Sequence, residues 1–344
     1  MTARGRARRR SVRVRRVLVP VLVTALVLGL VSAGVTTLTL LLPAMRATAV
    51  TVATTPTSCT QRALQVVAHP DDDLLFMNPD VLRDIEAGAC VRTVYLTTGD
   101  ANRDESYWRL REEGIRDAYA TMAGVDDVWR EGTLVADGHV LATATLEAAP
   151  GISLVFMHLP DGNRRGTGNA MHDRQSLRRL WLGEIEEIRA VDGSATYDAA
   201  GLVRTLAAVV DGYGATTLRA QDWTLDFRHG DNADHTAAGL FARAAAARAQ
   251  VRPELLGYAG YPSWTQPANV NGRELGLKAD AIIAYASHDP KLCAHLRCLE
   301  SLVTAIRNGR QYVVAHEHLG HPGHKVWGRC PPERRLAGPL LAGD

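Results

Sequence analysis

The stretch Leu64–Phe76, LQVVAHPDDDLLF, sets an apolar run against one histidine and three consecutive carboxylates. Leu64 to Ala68 carry no charge and read as a strand buried on both faces. Three acids directly after such a strand repel one another unless a cation offsets them or one stays protonated. In an open α/β sheet, functional groups gather outside the carboxyl ends of the strands, so this is where a site belongs. A bound divalent ion is the simplest reading. His69, Asp71 and Asp72 offer imidazole nitrogen and carboxylate oxygen, ordinary zinc donors, and a further histidine must come from elsewhere in the chain.

Working outward, VRTVYLTT (91–98) is a second buried strand, with helical patterns over Asn78–Ala89 between the two and Glu105–Ala123 after them. That order is βαβα, hence α/β with a mostly parallel sheet flanked by helices. An Asp137-Gly138 turn divides two strand-like runs within 132–146, and ISLVFMHLPDG (152–162) is another strong strand ending in a turn. Helices are expected over Gln175–Arg189, Asp198–Tyr213 and Asp234–Gln250, short strands around Thr216–Arg219 and in ELLGYAGYP (254–262), and a late helix ending at Gly309.

The N-terminus is a separate object. Residues 1–16 carry eight arginines and no acid, and residues 17–44 are apolar throughout, long enough for a bilayer, which needs roughly 20 residues. The expectation is a basic cytoplasmic segment, an uncleaved transmembrane signal anchor at 17–44, a linker at 45–60, and a domain at 61–344 outside the cytoplasm. Ala47-Thr48-Ala49 resembles a cleavage site, in which case the domain is secreted. The whole chain has 39 basic and 37 acidic residues; without the eight arginines the balance is 31 against 37, about −6. That sign excludes nucleic acid as a natural partner. Five cysteines fit an oxidising compartment. Cys59 and Cys90 each precede a strand, so adjacent parallel strands could bring them together. Cys293 and Cys298 could close a small loop or ligate zinc, leaving Cys330 odd. Spacing alone does not fix the pairing.

The missing histidine has a candidate in HGDNADHTAAG, where His235 opens a helix directly after Asp234. Taken in order, AHPDDD, LLFMNPDVL, VYLTTGDANRDESYWRLREEGIRDAYATMAGV, LPDG and the helix-opening DH resemble the PIG-L/LmbE-like de-N-acetylase family, from about Leu64 to Gly239. The resemblance implies a Rossmann-like fold, a mononuclear zinc site and removal of N-acetyl groups from amino-sugar conjugates. It implies His69, Asp72 and His235 as zinc ligands and Asp71 as general base.

The sequence departs from that family twice. Asp73 stands where a glutamate is usual. Asn232 stands where a histidine commonly steadies the oxyanion or donates a proton, and an amide can donate a hydrogen bond but no proton. His229, or one of His316, His318, His321 and His324, is the candidate replacement; HEHLGHPGH is otherwise read as a surface or site-rim loop, or a second metal site. It is no HExxH helix, because Gly320 occupies the second histidine's place. Asp100, Asn102 and Arg111 are candidate substrate contacts, with Glu112 beside Arg111 and with Tyr107 and Trp108 as core or cavity wall. Besides a zinc-dependent N-deacetylase acting on an N-acetylated sugar or glycoconjugate, two functions stay open: a zinc-containing carbohydrate-binding module with impaired catalysis, and a structural envelope protein.

Overall fold

The computed structural model describes residues 59–228, 230–292 and 309–318. Ten strands appear there: β1 (Arg62–Val67), β2 (Cys90–Thr97), β3 (Trp129–Ala136), β4 (His139–Leu146), β5 (Ile152–Leu159), β6 (Ile188–Arg189), β7 (Thr196–Tyr197), β8 (Thr217–Gln221), β9 (Glu254–Tyr258) and β10 (Val313–His318). The helices are α1 (Asp80–Glu86), α2 (Glu105–Ala123), α3 (Leu177–Trp181), α4 (Ala199–Tyr213), α5 (Ala233–Arg248) and α6 (Gly272–Ala286), with a π-helical turn at Asp73–Met77.

Eight strands form one sheet in the order β10-β9-β8-β1-β2-β5-β4-β3. From β9 to β5 the pairings are parallel, and β4 and β10 join antiparallel, so each edge of the parallel core is covered. β2 and β5 are buried at every position, as strands covered on both faces must be. One face packs Leu64, Val66, Val94 and Val155 against Leu202, Leu206 and Phe241 of α4 and α5. The other packs Val67, Tyr95 and Leu154 against Val81 of α1, Ile115 and Tyr119 of α2 and Ile282 of α6. The result is a three-layer α/β/α sandwich.

The expected helices hold where caps fix them. α2 ends at Gly124, whose φ of 65° is left-handed, and α4 starts at Asp198, whose carboxylate accepts from Gly201 N. Two expectations need correction. The helix over 175–189 is only α3: Gly183 turns the chain at φ 68°, Glu184 pairs back to Arg178 and Arg179, and β6 follows. The helix over 78–89 shrinks to α1, because Asn78 closes the preceding π-helical turn, Pro79 caps α1, and the helix ends at Ala87. α6 and β10 had no counterpart in the sequence reading. The 17–44 anchor, the late helix ending at Gly309, His229, His321, His324 and Cys293, Cys298 and Cys330 lie outside the described residues, apart from Gly309 itself. Among the described residues, no helix is long and apolar enough to cross a membrane. Cys59 and Cys90 are disulfide-bonded.

Candidate active site

The chain leaves β1 toward β2 on one side and returns to pair β8 on the other, so the carboxyl ends of β1 and β8 form the switch point of the sheet. His69 to Asp73 lie just beyond β1, and α5 presents its N-terminus from the β8 side. His69, Asp72 and His235 are buried, and their donor atoms all lie within 4.8 Å of one another. His235 Nε2 is 3.0 Å from Asp72 Oδ1, and His69 Nδ1 is 3.2 Å from Asp72 Oδ2. Asp72 Oδ2 also accepts from the His69 amide at 2.7 Å, which fixes its rotamer.

Two acids that the sequence reading did not assign complete the cluster. Asp161, after β5, and Asp234, in the first turn of α5, form a second donor group with His69. Asp234 Oδ2 lies 3.5 Å from His69 Nε2 and accepts from Gly162 N at 2.7 Å. Asp231 Oδ1 sits 2.8 Å from His235 Nδ1, an outer carboxylate orienting an imidazole. A Cβ on Gly260 would collide with Asp231 Oδ2, so this approach needs glycine.

A divalent ion fits these residues. His69 Nε2 and His235 Nε2 are buried and make no well-aligned hydrogen bond; each instead faces a carboxylate, Asp234 at 3.5 Å and Asp72 at 3.0 Å, and a cation between these donors would engage both rings. Burial pulls the His235 imidazole down, yet Asp72 and Asp231 outweigh it and lift it to about 10. His69 is raised in the same way, against burial, by Asp72 and Asp234. Carboxylates surrounding the two rings thus favour positive charge between them.

Asp71 stands beside this set and outside it. Its φ of 138° is a conformation that few residues other than glycine adopt. Arg111 of α2 holds it: Nη2 donates to Pro70 O at 2.7 Å and pairs with Asp71 Oδ2 at 2.9 Å, Nη1 donates to Gly99 O, and Nε donates to Tyr285 OH. Gly99, at φ 58°, leaves room where a Cβ would run into Nη1. Burial pushes the Asp71 carboxyl up to about 7 against the opposing pull of Arg111, with Asp72 adding to the rise.

The structure places the other sequence candidates as follows. Asn232 caps α5, its Oδ1 accepting from Asp234 N at 3.0 Å, which leaves its amide nitrogen as the donor. Arg111 is fully engaged by protein groups, as above. Asp100 is buried and accepts from Thr98 Oγ1, Asn102 N and Asp161 N, holding the loop after β2; Asn102 is exposed on that loop. Glu112 meets His158 Nε2 at 2.7 Å, and His158 Nδ1 meets Asp192 at 2.6 Å. Trp108 packs on His158, and Tyr107 lines a cavity of about 570 Å³ with Asn102 and Arg103. Asp73 accepts from Tyr95 OH and Tyr119 OH at 2.9 and 2.6 Å, so it anchors the turn to the core. His316 and His318 are not on a loop at the site rim. They lie on β10, opposite the amino end of β9, across the length of the sheet from His69, and supply nothing to this cluster.

Beside His235, Phe76, Tyr261 and Trp264 form an aromatic shelf, with Tyr261 5.0 Å from the His235 ring and 4.6 Å from Trp264. A cavity of about 580 Å³ borders Asp231 and is lined by Arg164, Arg165, Arg178 and Arg228.

A mostly parallel α/β sheet with a buried cluster of histidines and aspartates that could hold a metal at its switch point defines the class of this protein. The chain belongs to the PIG-L family, GlcNAc-PI de-N-acetylase, whose family model matches residues 64–246. No curated protein matches the chain. Among solved structures, it is similar to N,N'-diacetylchitobiose deacetylase from Pyrococcus horikoshii, at 14% identity over 72% of this chain and 76% of that one, TM-score 0.43. It is also similar to a deacetylase of teicoplanin biosynthesis, at 13% identity over 72% and 90% of the two chains, TM-score 0.39. A conserved protein from Thermus thermophilus is 18% identical over 67% of this chain and 81% of that one, TM-score 0.37.

Proposed function

We propose that this protein is a zinc-dependent N-deacetylase that hydrolyses the acetamido group of an N-acetylated amino sugar or glycoconjugate. The observation that carries the reading is the convergence of His69, Asp72 and His235, whose buried donor atoms lie within 4.8 Å of one another, beside the separately held carboxylate of Asp71. A zinc ion held by those three residues would supply Lewis acidity at the acetamido carbonyl and acidify water.

The chain's own groups do the rest. Asp71 accepts the proton of the water that adds to the carbonyl carbon, and a base near neutrality suits that task. When the C–N bond breaks and acetate leaves, the same carboxyl returns the proton to the departing nitrogen, which cannot leave as an amide anion. Asn232 can donate from its amide nitrogen toward the developing oxyanion, since its oxygen is occupied by the helix cap. The Tyr261–Trp264 shelf offers an apolar surface for a sugar ring. Four arginines next to Asp231 favour a substrate that carries negative charge near the acetamido group.

The apolar segment 17–44 and the arginines before it support a membrane-anchored domain outside the cytoplasm, or a secreted one if that segment is cleaved. Asn232 in the place of a proton donor supports one alternative, a zinc-containing carbohydrate-binding module that no longer turns over. The experiment is zinc analysis of the purified full chain together with amine release from a panel of N-acetylated sugars. About one zinc lost in His235→Ala together with its amine release supports the enzyme. Zinc binding with no amine release on any sugar selects the binding module.

A further inference from the structure

We propose that Glu254, His316 and His318 form a second divalent-metal site, on the outer edge of the sheet and separate from the cluster at His69. β10 runs antiparallel to β9 with His318 opposite Glu254 and His316 opposite Leu256. Residues two apart on a strand share a face, and directly opposed residues on neighbouring strands do too, so all three side chains stand on one side of this two-strand edge. His316 Nε2 is 2.8 Å from Glu254 Oε1, and the His316 and His318 rings lie 4.4 Å apart at 52°. The three donor atoms lie within 4.8 Å of one another.

An ion pair between His316 and Glu254 alone leaves His318 unexplained. Among the described residues, the His318 side chain makes no hydrogen bond or ion pair, yet its ring is set beside that of His316. The intervening Glu317 points to the other face, where both carboxylate oxygens accept from Arg243 Nε at 2.9 and 3.1 Å, so it neither competes for a metal nor neutralises the pair. Two imidazoles and one carboxylate are a donor set for zinc, nickel or copper, with water filling the remaining positions. Both histidines are exposed, so an ion can enter from solvent without opening the fold. The bound ion would tie the edge strand β10 to β9, a join otherwise made by backbone hydrogen bonds along a short exposed strand.

The test is equilibrium dialysis of the full chain against zinc, with metal per chain measured in wild type, His318→Ala, His235→Ala and the double variant. The expected values are about two, one, one and none. On the His235→Ala background, copper bound at the edge should show an electron paramagnetic resonance signal with coupling to two nitrogens, reduced to one by His318→Ala. Circular dichroism of His318→Ala, an exposed position, should match wild type. Zinc content unchanged by His318→Ala, or a wild type with one zinc that His235→Ala removes, overturns the proposal. Loss of one zinc in His318→Ala with none lost in His235→Ala supports this site and rejects the zinc reading at His69.

Discussion

Arg111 grips both the carboxylate of Asp71 and the carbonyl of the residue before it, at 2.9 and 2.7 Å, while Asp71 sits at a φ of 138°. A backbone in that region costs of order 1–3 kcal/mol and persists only where neighbours hold it. Arg111→Met removes the grip and strands a buried carboxylate and two carbonyls. Denaturant unfolding should show a loss of about 3–5 kcal/mol. Arg111→Lys, which keeps the charge but loses the fork, should fall between. A fully stable Arg111→Met would show that Asp71 keeps its conformation unaided.

Asp71→Asn separates metal binding from chemistry. Asp71 is outside the ligand cluster, so zinc content should be unchanged, while amine release should fall by roughly 100-fold or more because an amide cannot take up the proton. Near-normal turnover in this variant would assign the base to another residue.

Asn232 gives a graded series. As a remaining oxyanion donor, its replacement by alanine should slow turnover by about 100- to 1,000-fold, and Asn232→His should keep zinc and raise turnover. Loss of the cap to α5 should also cost Asn232→Ala about 1 kcal/mol in stability, whereas Asn232→Asp retains the cap. Three equally inert proteins, wild type, alanine and histidine, would remove deacetylation from consideration.

His158 makes stability depend on alkaline pH. Burial lowers its affinity for protons, but hydrogen bonds to Asp192 and Glu112 outweigh this and bring it to about 9, against 6.5 for the free side chain. The folded state therefore holds a proton that the unfolded chain has released, and the stabilisation is full below pH 6.5 and lost as pH rises through 9. The shift corresponds to about 3 kcal/mol. Unfolding free energies measured from roughly pH 6 to 10 should decline across that window in wild type and lose that component of the slope in His158→Gln.

The Cys59–Cys90 bond joins residues 31 apart just before β1 and at the start of β2. Closing a loop of that size in the unfolded chain is worth about 3–4 kcal/mol. The paired substitution to alanine should lower stability by that amount and leave zinc content unchanged.

The arginine-lined cavity makes substrate charge a variable. With N-acetylglucosamine 6-phosphate and N-acetylglucosamine as probes, the charged sugar should have the lower KM, and Arg164→Gln with Arg165→Gln should erase most of the difference. Added salt should weaken the preference. Equal KM values for the two sugars in wild type would show that the cavity binds no part of the substrate.

The pattern of a strand end and a helix start made His69, Asp72 and His235 candidates, the family resemblance joined them into one set, and the structure brings their donor atoms together. Asp161, Asp231 and Asp234 were not legible in this way, because they are acids in a loop or at a helix start like many others in the chain, and only the meeting of β5, β8 and α5 sets Asp161 and Asp234 against His69 and Asp231 against His235. α6 escaped notice for a different reason. Gly272 and Gly276 weaken its helical pattern, and Lys278 looks like a solvent-facing residue although it is buried, donating to the carbonyls of Leu75, Asn78 and Arg310. β10 was hidden by its composition, since VVAHEH shows its strand character only when laid against β9. The helix over 175–189 was over-read because Gly183 weighs more than the periodicity around it.

The switch point divides the proposed ligands between two parts of the chain that are far apart in sequence. His69 and Asp72 follow directly on the first strand, and His235 arrives only after β8 has paired with β1 on its other side. No fragment that ends before α5 can hold the ion as the whole does, and any partly unfolded form in which α5 and β8 have detached from β1 has surrendered the third ligand. A zinc ion in this position would therefore act as a latch on the last long-range pairing of the sheet, and its release, followed with a coloured chelator, would time the moment at which the two halves part.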